Sequence, residues 1–499
     1  MSAGGPSFWL ATTPETDYPA LSGDVSVDVV VVGAGITGIT AAVLLKRAGK
    51  TVALLDSKRI VQGATGYTTA KVTAGHGLSY TKIRKAFGDD GARTYAAANQ
   101  AAIERISELV EEDGIDCDFE RKRNYVYAEN ERETGQIKQE VEVEQAAGLP
   151  AELVRETPLP YPVTAALRLE NQAQFHPRKY LLALAATIPG DGSHVFENSR
   201  VHTVKDGEPC DVLADNGVAR ARDVVVATHM PILDRALFFA RAWPHRSYAV
   251  AAPIDAGAAP DGMFINAGTP TRSVRTLRDG ERVYVQVGGN GHKPGSEDDT
   301  PARYDQLEAF LRKHWPSAGE VEYRWSTQDY MPHDQVPYVG RLRRGSDHVY
   351  AATGYNKWGM TNGTVAAMIL ADAILGRSNP WAELYDAHRL RTYRTMSFVK
   401  ENAAAGLHFV ADRILPGDKA SPDDVRPGEG AIVGRLRKTA VYRDDDGTVH
   451  ALSPVCRHLH CHVHWNPAER SWDCPCHGSR YAADGRAIEG PTTRDLKRR

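Results

Sequence analysis

The chain has 499 residues, 42% of them hydrophobic, and its 60 basic and 63 acidic residues leave a formal net charge of −3. That length buries a large core and accommodates two or three domains, while the near-balance of charge gives no electrostatic reason to expect nucleic acid or an anionic membrane as a partner. No apolar run approaches the roughly 18 residues of a membrane span, and nothing in MSAGGPSFWLATTPETDYPAL reads as an export signal, so the expectation is a cytoplasmic protein.

The first ordered elements lie in VSVDVVVVGAGITGITAAVLLKRAGKTVALLD, residues 25–56. The apolar run ending at Val32 suits a strand buried on both faces. Gly33, Gly35 and Gly38 follow in G-x-G-x-x-G spacing, then a helical pattern from about Ile36 to Ala48 and a second strand ending on Asp56. Gly33 permits the tight turn, Gly35 lets a pyrophosphate approach the backbone, and Gly38 lets helix and strand pack closely. The helix N-terminus attracts phosphate, and Asp56, 18 residues after Gly38, is placed for a ribose hydroxyl. Strand, glycines, helix, strand and acid in this order define a Rossmann-type dinucleotide site. No second such motif follows a strand downstream, which argues for one dinucleotide rather than two.

Further segments occur in a telling order: GATGYTTAKVT (63–73), DVVVATHMP (223–231), RWSTQDYMPHDQVPYVG (324–340) and YAATGYNKWGMTNGTVAAMILADAI (350–374). Together with the glycine motif they resemble the D-amino-acid oxidase (DAO) superfamily of FAD oxidoreductases over residues of about 25–395. The resemblance implies an α/β FAD-binding domain (about 25–76, 196–234 and 331–395) interleaved with an α+β substrate domain (about 77–195 and 235–330), after an N-terminal extension, 1–24. In the substrate layer, EVEVEQ, SVRTL and RVYVQVGG are expected strand pieces. It also implies FAD contacts at Ile36, Thr37, Gly63, Ala64, Thr65, Thr69 and Thr228, with Val201 near the adenine. Gly354, Trp358, Gly359, Met360 and Thr361 are expected beside the flavin ring, where backbone donors stabilise the charge that grows on the ring as hydride arrives.

On the substrate side, the resemblance points to Tyr248, Arg272, Arg275, Tyr330, Lys357 and Trp358, with Arg275, Tyr330, Lys357 and Trp358 as candidate catalytic residues. Arginine suits a substrate carboxylate because its planar fork binds it in bidentate fashion. His76, in VTAGHGL, is expected to be hydrogen-bonded near the flavin rather than covalently attached to it.

A helical stretch of about 383–413 is followed by a linker, with 396–425 as the segment joining the domains, and alternating strands and turns then read as a small all-β domain, 426–499. Its pattern is Cys456-x-His458, fifteen residues, then Cys474-x-x-His477. Zinc sites usually pair C-x2–4-C with H-x3–5-H; here each loop offers one Cys and one His. A dinuclear centre fits better, with Cys456 and Cys474 on one iron and His458 and His477 on the other, the Rieske [2Fe–2S] arrangement. CRHLHC and CPCHGSRY resemble the two Rieske ligand loops, although His460 stands where that family has glycine. The same resemblance implies a Cys461–Cys476 disulfide, Ser479 and Tyr481 as donors to the cluster sulfurs, and Gly490-Pro491 as a covering loop. His460, His462 and His464 read as loop histidines rather than as further ligands.

A flavin accepts a hydride, whereas a Rieske centre carries one electron at a time. The expected function is therefore an FAD-dependent oxidation of an amine or amino acid C–N bond, with electrons leaving through the Rieske cluster to an unidentified acceptor. The alternative reading is a non-catalytic redox sensor or electron-transfer flavo-iron-sulfur protein. A Rieske oxygenase would need two histidines and a carboxylate spaced like D-x2-H-x4-H, and the sequence has none.

Overall fold

The computed structural model describes residues 5–233, 236–296 and 299–499; the first four residues of the expected N-terminal extension and Arg235, at the start of an expected substrate segment, lie outside them. Two sheets make the larger part of the molecule. The first has eight strands and the order Tyr338–Arg341, Val349–Thr353, Gly217–Val226, Gly23–Val32, Val52–Leu55, His194–Phe196, with a short antiparallel pair appended at Gly217–Val226. Its central pairings are parallel, and Val29–Val32 are at most 4% exposed because Val29 and Val31 pack under helices while Val30 and Val32 pack on the appended strand pair through Val204 and Val212. The helix Ile36–Arg47 follows the first strand directly. Gly33 has φ +103°, and a Cβ there would stand 2.6 Å from the Ala227 carbonyl; a Cβ at Gly38 would stand 1.8 Å from the Gly33 carbonyl. Only glycine permits this turn and this helix–strand approach.

The second sheet has nine strands, mostly antiparallel, with Tyr323–Pro332, Ala242–Pro253 and Arg282–His292 at one end. SVRTL and RVYVQVGG lie in its strands Arg272–Asp279 and Arg282–His292. EVEVEQ does not: it belongs to the helix Glu131–Ala146. Its alternation of charge and valine is a local coincidence, since Thr134, Ile137, Val141 and Glu144 are buried at helical spacing. The Asn130 side chain caps the helix by accepting from the Glu133 N–H. Buried Glu140 accepts the Tyr80 and Thr81 N–H groups at the start of another helix, a use for an acid that no strand reading suggests.

The expected single helical stretch is three elements: Ala382–Tyr385, a 3₁₀ turn at Arg391–Arg394, and Met396–Ile414. Two small antiparallel sheets of three and four strands complete the chain; Cys456 and His458 lie in the loop between them, and Cys474 and His477 in the loop joining Ser471–Asp473 to Arg480–Ala482 of the second. This C-terminal unit packs on the second sheet through buried polar contacts. Glu469 pairs with Arg246 at 2.9 Å and accepts from the Tyr304 hydroxyl at 2.9 Å, and Thr300 donates to Asn466 at 2.8 Å.

Candidate functional site

One cavity of about 810 Å3 lies where the two large sheets and the C-terminal unit meet. That is ample for a cofactor together with a small ligand. Its dinucleotide end is lined by Gly33, Gly35, Ile36, Thr37, Asp56, Gly63, Ala64, Thr65, Thr69, Val201 and Thr228. Gly38, Gly354 and Thr361 stand behind this wall: Gly38 under the glycine turn, Gly354 against Pro332, Thr361 donating to the Thr73 carbonyl. Gly35 caps the helix Ile36–Arg47 without a side-chain bond, leaving its N-terminus to a phosphate. Thr65 Oγ1 accepts from Ile36 N–H at 3.2 Å and would lie 2.9 Å from a Cβ at Gly35, so the diphosphate path closes against backbone. Asp56 holds the turn by accepting from the Ala34 and Lys58 N–H groups at 2.8 and 2.9 Å, and burial raises its pKa. These features fit FAD.

Trp358, Gly359 and Met360 line the ring end of the cavity. His76 stacks on Trp358 at 4.7 Å; its Nδ1 contacts the Tyr95 hydroxyl and its Nε2 the Thr73 carbonyl, each at 2.7 Å. Burial lowers its pKa to about 3, so it is a neutral, hydrogen-bonded ring.

The substrate-side candidates divide. Lys357 lines the cavity with its side chain exposed to it, Nζ 2.9 Å from Ser247 Oγ, and desolvation by the surrounding walls lowers its pKa to about 8. Tyr248 lines the wall with its hydroxyl on His292 at 2.9 Å. Arg275 does not face the cavity: its guanidinium donates to the carbonyls of Thr69 and Ala70 at 2.9 and 2.6 Å and stacks near Trp9. It is consumed in supporting the loop behind the flavin site, not in meeting a substrate. Arg272 is likewise taken up by the Thr271 carbonyl and Asn290, at 3.0 and 2.5 Å. Tyr330 stands behind the wall, where its hydroxyl donates to the Gly490 carbonyl at 3.0 Å.

Several wall residues carried no local signal in the sequence. Trp243, His245, Ser247, Gln328 and Asp329 come from the second sheet, and Glu469, Arg480 and Glu489 from the C-terminal unit. Asp329 accepts from His229 at 3.2 Å and raises the pKa of that buried ring. Gln328 Nε2 donates to the Gly478 carbonyl at 2.8 Å, one residue beyond His477, and lies 3.1 Å from the Tyr330 hydroxyl.

The C-terminal loops converge as a metal-ligand set. Cys456 and Cys474 are free and buried, and contact between their thiols, with Tyr481 adding to it, lowers the Cys456 pKa. The His458 and His477 rings stand 5.1 Å apart, and Phe239 packs against both at 4.8 and 4.7 Å. Two thiols at one end and two imidazoles at the other suit a [2Fe–2S] cluster of Rieske type. Cys461 and Cys476 are joined by a disulfide. The Tyr481 hydroxyl lies 3.2 Å from Cys456 Sγ, and Ser479 Oγ accepts from Thr492 N–H at 3.2 Å. His460 takes the left-handed conformation with φ 62°, a region that glycine adopts freely and that histidine also visits. His464 contacts Asp412 at 3.1 Å, and His408 brings a third ligand atom to that group.

Fold and site together define a flavoprotein carrying an iron–sulfur domain, and the family comparison agrees. Residues 28–373 match the FAD dependent oxidoreductase (DAO) family and 419–498 the Rieske [2Fe-2S] domain. The chain belongs to the DAO family of FAD-dependent oxidoreductases, with a Rieske domain at its C-terminus. It is 34% identical over 496 residues to YhfW, a Rieske 2Fe-2S iron-sulfur protein of Bacillus subtilis (strain 168), spanning 98% of this chain and 97% of the relative. It is 24% identical to the gamma-glutamylputrescine oxidoreductase of Escherichia coli (strain K12), over 76% of this chain and 90% of that one. The glycine oxidase of Geobacillus kaustophilus superposes with a TM-score of 0.60 at 16% identity, covering 73% of this chain and 99% of that structure, a likeness of fold.

Proposed function

We propose that this enzyme oxidises a C–N bond of a small amine or amino acid at FAD and passes the electrons through its own Rieske cluster to an external acceptor. In this reading residues 25–395 form the flavin and substrate portion and 426–499 the Rieske portion. FAD supplies hydride acceptance, and the cluster supplies one-electron transfer. The observation that carries the reading is Gln328: a cavity-wall side chain bonded directly to the main chain of a cluster-ligand loop.

The residues around the cavity support the substrate class. Lys357 is a cation at neutral pH, able to hold a carboxylate, and Asp329 offers a negative group to the amine. Trp358 and Trp243 supply apolar walls that exclude water. Phe239 seals the histidine end of the cluster site against the larger part of the molecule.

An anaerobic screen of amines and amino acids tests the proposal. With a true substrate the flavin absorbance bleaches first and the cluster's EPR signal follows. Bleaching without cluster reduction removes the relay; no bleaching with any amine removes the substrate class.

A further inference from the structure

The helix Met396–Ile414 is inside out. Its solvent-facing side carries Met396, Val399, Leu407, Val410 and Ile414, between 54% and 81% exposed, and no acidic residue. Its polar residues turn toward the protein: Glu401 pairs with Lys293 at 3.2 Å, Asn402 donates to the Ala240 carbonyl at 2.9 Å, and Asp412 meets His464. A surface helix ordinarily does the reverse, and a contiguous exposed apolar stripe marks an interaction surface.

The exposed charges on the helix itself are basic, and the exposed Asp418 just beyond it is bonded to the Ile432 N–H. Lys400 and Arg413 are exposed on the same side of the helix. Beyond its C-terminal end lies the turn between Gly430–Val433 and Thr439–Arg443, tied to the helix by Lys438 donating to the Asp412 carbonyl. At its tip Leu436 is 96% exposed between exposed Arg435 and Arg437.

We propose that this face docks on an anionic lipid bilayer, the helix lying in the plane of the interface with Leu436 inserted beside it. An apolar helical face flanked by Lys and Arg, with a basic, leucine-tipped turn next to it, has the chemistry of a peripheral membrane anchor. A second copy of the chain is the poorer occupant. Antiparallel pairing that sets Val399 on Ile414 and Ala403 on Val410 also sets Lys400 against Arg413, like charge on like. The anchoring is peripheral: among the described residues no helix is long and apolar enough to cross a membrane. Because Arg413 also donates to the His460 carbonyl at 2.6 Å, the docked face would carry a cluster-ligand loop close to the lipid. The inference does not depend on the electron-relay reading.

Flotation of the purified holoprotein with phosphatidylcholine vesicles, with and without phosphatidylglycerol, tests it. Binding is expected to the anionic vesicles and to fall as salt rises. Leu407→Asp with Ile414→Asp, and separately Arg435→Glu with Arg437→Glu, should each weaken it by about tenfold or more. Val410→Trp keeps the face apolar, and its emission should shift to the blue on anionic vesicles. Failure to bind anionic vesicles, equal binding to neutral ones, or no effect of these substitutions overturns the proposal. So does a dimer that Leu407→Asp with Ile414→Asp converts to monomer while vesicle binding is unchanged, since a second copy would then cover the face.

Discussion

Glu469→Gln tests the joint between the Rieske domain and the rest of the enzyme. Glu469 is 8% exposed and Arg246 1%, with 2.9 Å between them. The amide keeps the volume and can still accept from Tyr304, but it leaves the guanidinium with only the Ser326 hydroxyl as a close partner among the side chains that bond it. At 2.9 Å and an effective dielectric constant of about 20, the pair attracts by about 6 kcal/mol, much of it offset by desolvation. Removing one partner of such a buried pair costs about 3–5 kcal/mol, because the other charge stays buried. The loss falls on the contact between the domains, since Arg246 lies in the strand Ala242–Pro253 and Glu469 in the C-terminal unit. In a urea titration, flavin fluorescence and cluster absorbance should change together in the parent protein. In Glu469→Gln the cluster signal should go first. Replacing both residues with Met should recover most of the loss. If Glu469→Gln unfolds within about 0.5 kcal/mol of the parent with coincident signals, as a neutral surface substitution would, the joint does not rest on this pair.

Other outcomes follow from the same geometry. Lys357→Met should raise KM for a carboxylate-bearing substrate by roughly 10- to 100-fold, the loss of one charge-assisted bond. In the parent the Lys357 cation is present below about pH 8 and lost above it, so KM should climb through that range, while the Met variant should show no such climb. Gln328→Leu should leave flavin bleaching unchanged and slow reduction of the cluster in stopped-flow experiments, because it removes the bond to Gly478. Tyr481→Phe deletes the donor to Cys456 Sγ; at about 1.5 kcal/mol for a bond to a charged sulfur, spectroelectrochemistry should show a midpoint potential about 60 mV lower. Gly38→Ala places a Cβ 1.8 Å from the Gly33 carbonyl, so the purified variant should contain little or no FAD.

The sequence by itself determined the parts whose chemistry is local. The dinucleotide turn is legible because Gly33, Gly35 and Gly38 are demanded by backbone conformation and close approach within six residues. The Rieske ligands are legible because two short loops carry the whole donor set. Local pattern misled where a longer period ruled, as at EVEVEQ, whose burial repeats at helical spacing. Only the tertiary structure decided which groups meet across the fold. Arg275 was reasonable by residue type, yet it spends its donors on Thr69 and Ala70, roughly two hundred positions away. Gln328, Phe239 and Arg246 gave no signal because their roles exist only once the Rieske loops lie against the second sheet. The outward apolar face of the helix Met396–Ile414 had the same origin: its periodicity is that of any amphipathic helix, and only packing shows which side faces the protein.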